Sequence, residues 1–396
     1  MLRKKIFLFL LILPFFSPIA HADDTFPQSS RALAIDAAKY CSSDTNWLFS
    51  PMSASACLSM VYAGSDGQTA IELSKALHLY LAQDLVGDSF HFFLKNLVHR
   101  PAYDSDFKLS IVQGIWAQTD FPLLDTFISS MRKDFEAEIE SIDFSLSTIE
   151  RINGWISEQT EQKIRNLLNP GDVDSTTKLV LANALYFKGS WVNRFQTELS
   201  ELSPFTTSLG ETKNVIMMNH LAHFKYFEDS DCQAVFLPFQ KESSSQAEPC
   251  CLLILPKHSE SPFQLSIAKL EQILASGETR MVRLQIPKFK FEQRFDLQDW
   301  LKQLGIQNAF SMQADFSKMD GRMDLCLSKI IQKCFFSLDE QGVEAAAATA
   351  AVMNCKCCHP AAEVIVSFIA DQPFEFLLID QNSKACLMLG HVADPM

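Results

Sequence analysis

The stretch Asp339–His359, DEQGVEAAAATAAVMNCKCCH, constrains this chain more than any other. Ala345 to Ala348, with Ala350 and Ala351, are strong helix formers, so propensity alone predicts a helix. The flanks oppose it. Gly342 invites a turn or hinge, and the polar run Asn354–His359 ends at Pro360, a helix breaker. A strand sends alternate side chains to opposite faces. One face would carry Val343, Ala345, Ala347, Thr349, Ala351 and Met353, and the other Glu344, Ala346, Ala348, Ala350 and Val352. The first of these faces is small and uncharged, so the ribbon can enter a narrow slot in a sheet at little steric cost. It is a segment able to take two forms.

The N-terminus reads as an address. Arg3, Lys4 and Lys5 precede an apolar run from Ile6 to Phe16, and Ala20-His21-Ala22 supplies a small-x-small cleavage pattern. This predicts a secretory signal over residues 1–22 and a mature chain of 23–396, secreted outside the cell or into a periplasm. A membrane anchor is the alternative, but the run is short for a bilayer and no second apolar stretch of about twenty residues follows. Losing three positive charges would take the formal net charge of −13 three further, to −16. A chain this acidic is not expected to bind nucleic acid or anionic membranes.

Nearly half the residues are hydrophobic and 32 are Phe, enough for one large core. No linker, low-complexity tract or internal repeat divides the chain, so a single domain is expected. Helical patterns come first: Ser29–Tyr40, a helix opened by Ser50-Pro51, Gln68–Leu79, Phe90–Val98 and a long amphipathic helix over Ile149–Leu168. Lys178–Phe187 reads as a central strand. Strands then dominate, with Lys213–Met218, Cys232–Pro238, Cys251–Leu255, Arg280–Pro287, Leu327–Leu338, Glu363–Ala370, Phe374–Asp380 and Ala385–Val392 among them. Helices Pro262–Leu274 and Leu297–Leu304 intervene. The order favours an α+β class.

No nucleophile elbow, zinc-protease, phosphate-loop or dinucleotide motif is present, so an enzyme is not expected. Eleven cysteines lack the even spacing of a disulfide framework, and Cys57 and Cys334 sit in apolar runs as buried small hydrophobes. Cys355, Cys357, Cys358 and His359 are soft ligands. Adjacent cysteines fit a closed tetrahedron poorly, so neither a metal nor a cofactor is expected. A reactive-thiol or disulfide role fits better beside Lys356.

The chain resembles the serpins over nearly its whole length. Glu340, Gly342 and Ala345–Ala351 resemble the hinge of the reactive loop. Asn46–Ser53 is similar to the opening of the helix beneath the main sheet, and Asn153–Thr160 with Lys163-Ile164 to the helix lying across it. Leu181–Trp191 resembles the strand that ends at the breach tryptophan. Ile286–Phe289, Leu304-Gly305, Pro373–Phe376 and Gly390–Pro395 complete a set of motifs in family order.

The resemblance implies a serpin fold of three β-sheets and about nine helices, with an exposed reactive-centre loop at about 340–362. It implies a monomeric suicide-substrate inhibitor. A protease cuts the loop, forms an acyl-enzyme and is trapped as the loop joins the main sheet as a new strand. Inward hinge residues must then be uncharged. Among the hinge residues Glu340, Gly342, Val343, Glu344, Ala345, Ala346, Ala347 and Ala348, the inward set passes, although Val343 replaces the commoner Thr or Ser. The breach and shutter residues are Trp191, Ser50, Ser53, Asn183 and Gln332, the last standing where histidine is frequent. The resemblance places the residue before the cut seventeenth when Glu340 is counted as first, which is Lys356, and so implies Lys356–Cys357 as the reactive bond and a trypsin-like serine protease as the target. Asn354, Cys355 and Cys357 are rivals for that position. A cysteine protease target, or a non-inhibitory carrier, chaperone or redox-sensitive binder, are the alternative functions.

Overall fold

A computed structural model describes residues 25–97, 107–144, 146–174, 176–240, 248–257, 263–343 and 364–396. The expected signal segment, most of the reactive loop and the pair Lys356–Cys357 lie outside them.

In chain order, the first half runs α1 (Thr25–Tyr40), β1 (Trp47–Phe49), α2 (Pro51–Ala63), α3 (Gly67–Ala76), α4 (Gln83–Leu97), β2 (Phe107–Gln118), α5 (Asp125–Asp134), β3 (Glu138–Ile142), α6 (Leu146–Gln159) and β4 (Leu179–Ser190). Strands β5 (Glu201–Thr206), β6 (Thr212–Glu228), β7 (Cys232–Pro238) and β8 (Pro249–Pro256) follow. Next come α7 (Ile267–Ser276), β9 (Glu278–Pro287), β10 (Phe289–Asp296), α8 (Gln298–Gln303) and α9 (Ser317–Asp320). The chain closes with β11 (Lys329–Leu338), β12 (Gly342–Val343), β13 (Ile365–Ile369), β14 (Phe374–Asp380) and β15 (Cys386–Val392). The described residues thus hold nine α-helices in an α+β arrangement, as expected.

The strands form a six-stranded sheet, β10-β11-β12-β4-β2-β3, and a nine-stranded one, β1-β15-β14-β8-β7-β6-β9-β13 with β5 on β6. Three sheets were expected. Two of them are joined here because β6 runs for 17 residues and pairs with β5, β7 and β9 along its length.

The six-stranded sheet is apolar on both faces. Leu181, Leu185, Phe187, Ile330, Cys334 and Phe336 face the main core around α2. Val180, Ala182, Ala184, Ile331 and Phe335 face a second core beneath α6, with Ile149, Ile152 and Ile156. Helix α2 starts where Ser50 caps it, its Oγ accepting the Ser53 N–H at 3.2 Å, with Pro51 at the first helical position. It is buried from Pro51 to Tyr62, which explains why its sequence shows no polar face.

The expected helix 149–168 is shorter. It stops at Gln159, and Glu161, Gln162 and Asn166 take positive φ. The Thr160 hydroxyl donates to Ile156 O and accepts the Ile164 N–H, so the chain turns away while Ile164 and Leu167 stay in the core. Local side-chain bonding of this kind competes with the helix ladder.

Candidate functional site

The site begins at the upper end of the six-stranded sheet. Strands β4 and β11 pair directly, in parallel, from Val180–Lys329 to Leu185–Cys334. Above that they part, and the two residues of β12 lie between them. Val343 pairs with Leu338 on one side and Gly189 on the other, while Gly342 pairs with Ser190. Val343 is buried and belongs to the main core.

Gly342 is required there. Its φ is +155°, and an added Cβ would lie 2.0 Å from Gly189 O and 2.8 Å from Ser190 Cα, both backbone atoms. Its N–H donates to Asp339 Oδ1 at 3.3 Å, and the Asp339 N–H donates to Gly342 O at 3.0 Å, closing a tight turn.

Trp191 anchors this turn. Its indole N–H donates to Asp339 O at 2.9 Å and its backbone N–H to Gln341 O at 2.9 Å. Its ring stacks on Phe239 at 4.5 Å between centroids. Glu340 is also fixed, its carboxylate meeting Lys288 Nζ at 2.5 Å and the Ser200 hydroxyl at 2.8 Å. Burial works against ionisation of Glu340, but Lys288 and Ser200 together hold its carboxyl below the usual value. Its neighbour Asp339 goes the other way, raised by burial despite two backbone donors. The sequence pointed to Trp191, Glu340, Gly342 and Val343. Ser200 carries no signal of its own, and Lys288, although it lies within the Ile286–Phe289 motif, is too distant in sequence to be paired with Glu340 beforehand.

Lys288→Met should leave Glu340 nearly buried with Ser200 as its remaining side-chain partner. We expect a loss of about 1–2 kcal/mol at pH 7. A depressed folded-state pKa gives stability above the ordinary carboxylate range and loses it as pH falls through the folded value. The deficit should therefore fade in acid, which denaturant titrations at pH 7 and pH 3.5 would check.

Lower down, the expected shutter residues do come together. The Ser50 N–H donates to Gln332 Oε1 at 3.0 Å and Gln332 Nε2 returns a bond to Ser50 O at 2.9 Å. The Ser53 hydroxyl donates to Asn183 Oδ1, and Asn183 Nδ2 donates to Ser53 O at 2.8 Å. Gln332 Nε2 also lies 3.4 Å from Asn183 Oδ1, and the Ser50 hydroxyl donates to Leu387 O at 2.7 Å. Glutamine thus satisfies both a donor and an acceptor where histidine is frequent. One neighbour was missed: Gln113 on β2, buried and in register with Asn183. A polar residue at a buried-face position, two before Ile115, was the available signal.

The rest of the hinge, Glu344, Ala345, Ala346, Ala347 and Ala348, and the reactive pair Lys356 and Cys357 lie outside the described residues. Among the described residues no cluster could hold a metal ion, and no helix is long and apolar enough to cross a membrane. Cys57 and Cys334 are buried, as expected, and all eight described cysteines are free thiols. Burial pushes the Cys57 thiol up to about 12, so it is an inert core residue.

The serpin (serine protease inhibitor) family model matches residues 28–395. Leukocyte elastase inhibitor from Bos taurus is 34% identical over 367 residues, covering 88% of this chain and 93% of that protein. Serpin B6 from Macaca fascicularis is 33% identical over 387 residues, covering 94% and 100%. The structure of human thyroxine-binding globulin superposes with a TM-score of 0.82 at 25% identity, covering 94% and 100%. Similarity therefore extends to a protein named as an inhibitor and to one named for binding thyroxine. The expectation of a secreted protein is corrected by these relatives, because leukocyte elastase inhibitor and serpin B6 are intracellular clade-B serpins. Motif order, sheet arrangement and family match agree: the chain belongs to the serpin family.

Proposed function

We propose that this protein is a suicide-substrate inhibitor of a trypsin-like serine protease, with Lys356–Cys357 as the bond attacked. The observation that carries the reading is strand β12, seated between β4 and β11 above the point where those two strands pair directly. Continued antiparallel in the same register, the segment would put Ala345 between Phe187 and Phe336, Ala347 between Leu185 and Cys334, and Thr349 between Asn183 and Gln332. All six flanking side chains are buried, so the slot accepts only small, uncharged or self-satisfying groups. Glu344 would fall on the opposite face beside Lys188, where its charge has a partner. The alternation of small residues in the sequence fits this slot position by position.

The chemistry belongs to the protease. Its serine attacks the Lys356 carbonyl, the bond to Cys357 breaks, and the amine leaves with a proton. An ester joins Lys356 to the protease. Our chain then replaces the direct β4–β11 pairing with two antiparallel ladders, a strand addition that displaces the esterified end before water reaches it. Lysine before the cut suits the acidic specificity pocket of a trypsin-like enzyme.

Mixing the protein with trypsin tests this. The expected result is an SDS-stable complex with release of a C-terminal peptide beginning at Cys357, read by intact mass. Cleavage at that bond without a complex would contradict inhibition of trypsin and favour the carrier reading.

A further inference from the structure

We propose that Gln113 is a further positioning residue for sheet opening, its side-chain oxygen receiving the Asn183 amide when β4 parts from β11. The inference rests on the insertion reading above. Gln113 is 2% exposed and lies opposite Asn183 in the β2–β4 register. Its Oε1 has no hydrogen-bond partner, and its Nε2 reaches Phe135 O only at 3.5 Å. A buried amide oxygen without a donor destabilises the form that contains it.

The geometry says which form that is. Asn183 and Gln332 are held by Ser53 and Ser50, which belong to one turn at the start of α2. A strand added between β4 and β11 moves them about 4.8 Å further apart. One turn of helix cannot follow both. Gln332 is tied to the Ser50 backbone by two bonds, donor and acceptor, and keeps its place. Asn183 is carried with β2, to which β4 is paired from Phe107–Gly189 to Ala117–Leu179. It leaves Ser53, and its Nδ2 then needs an acceptor. Gln113 Oε1 sits next to it in register, on the strand that moves with it, unoccupied beforehand. The same atom is unsatisfied in the closed sheet and satisfied in the open one, so it biases the molecule toward insertion.

The test is Gln113→Leu in the full chain, with Gln113→Met carrying the same readouts if leucine prevents folding. Thermal unfolding is compared for the intact form and for the form cut in the loop by catalytic thermolysin. The moles of inhibitor consumed per trapped trypsin are measured alongside. The intact form should melt higher than wild type and the cut form no higher, narrowing the gap between them. Consumption per trapped protease should rise roughly threefold to tenfold as insertion slows against deacylation. An intact form that melts lower, or an unchanged gap and partition, would overturn the role of Gln113. If the wild type neither traps trypsin nor gains stability on cutting, it is the insertion reading that fails.

Discussion

Replacing Ala347 by arginine should turn the protein from a trap into a substrate. In the register set by Val343, residue 347 enters between Leu185 and Cys334, both fully buried. Neither offers a counter-charge, and the face beyond them is the main core around α2. Burying an unpaired guanidinium there costs several kcal/mol. Each 1.4 kcal/mol added to the barrier slows insertion about tenfold, so insertion should slow at least about 100-fold relative to wild type and lose to deacylation. Cleavage at Lys356 should continue at the wild-type rate, since the bond itself is untouched. Ala346→Arg is the control, because that side chain points to the other face of the strand, although α6 limits its room. Gel quantitation of complex against cleaved inhibitor checks both. A full yield of complex from Ala347→Arg would contradict the register.

The second large effect concerns stability and sits away from the loop. Glu375 lies on β14, flanked in register by Ile254 on β8 and His391 on β15. It is buried, its Oε2 has no partner, and burial pushes its carboxyl up to about 8. An acid whose folded pKa is raised holds its proton longer when folded than when unfolded. Stability is then greatest below the unfolded value, near 4.5, and falls as pH rises toward 8, above which it levels off. Glu375→Gln removes the ionisation while keeping the shape. It should match wild type near pH 4 and exceed it by about 3 kcal/mol at pH 7. Denaturant unfolding across that range checks the sign and the size. Equal stability at pH 7 would mean that Glu375 is ionised at no cost.

Much of the site was legible because its chemistry is local in sequence. Gly342 marks a backbone position no other residue fits, and Ser50-Pro51 marks a buried helix start. Trp191 follows a strand whose pattern is unbroken. What was not legible depends on distance or on local competition. Lys288 meets Glu340 across the top of the sheet, and no spacing in the chain foretells that pair. The end of α6 looked nine residues longer because Ile164 and Leu167 keep helical spacing after Thr160 has taken over the backbone bonds. Helix α5 and strands β3 and β5 were passed over because each is short and weakly patterned. Export was read from the first 22 residues alone, whereas the relatives that share the body of the chain are intracellular.

The central claim is that the cut loop becomes a strand between β4 and β11. Hydrogen exchange on the peptide spanning residues 344–352, before and after loop cleavage, tests it most directly. Insertion predicts that these amides exchange freely in the intact protein and become as protected as those of Leu181 to Leu185 once the loop is cut. Exchange that stays fast after cleavage would mean that no strand is added, and the inhibitory mechanism would fall with it.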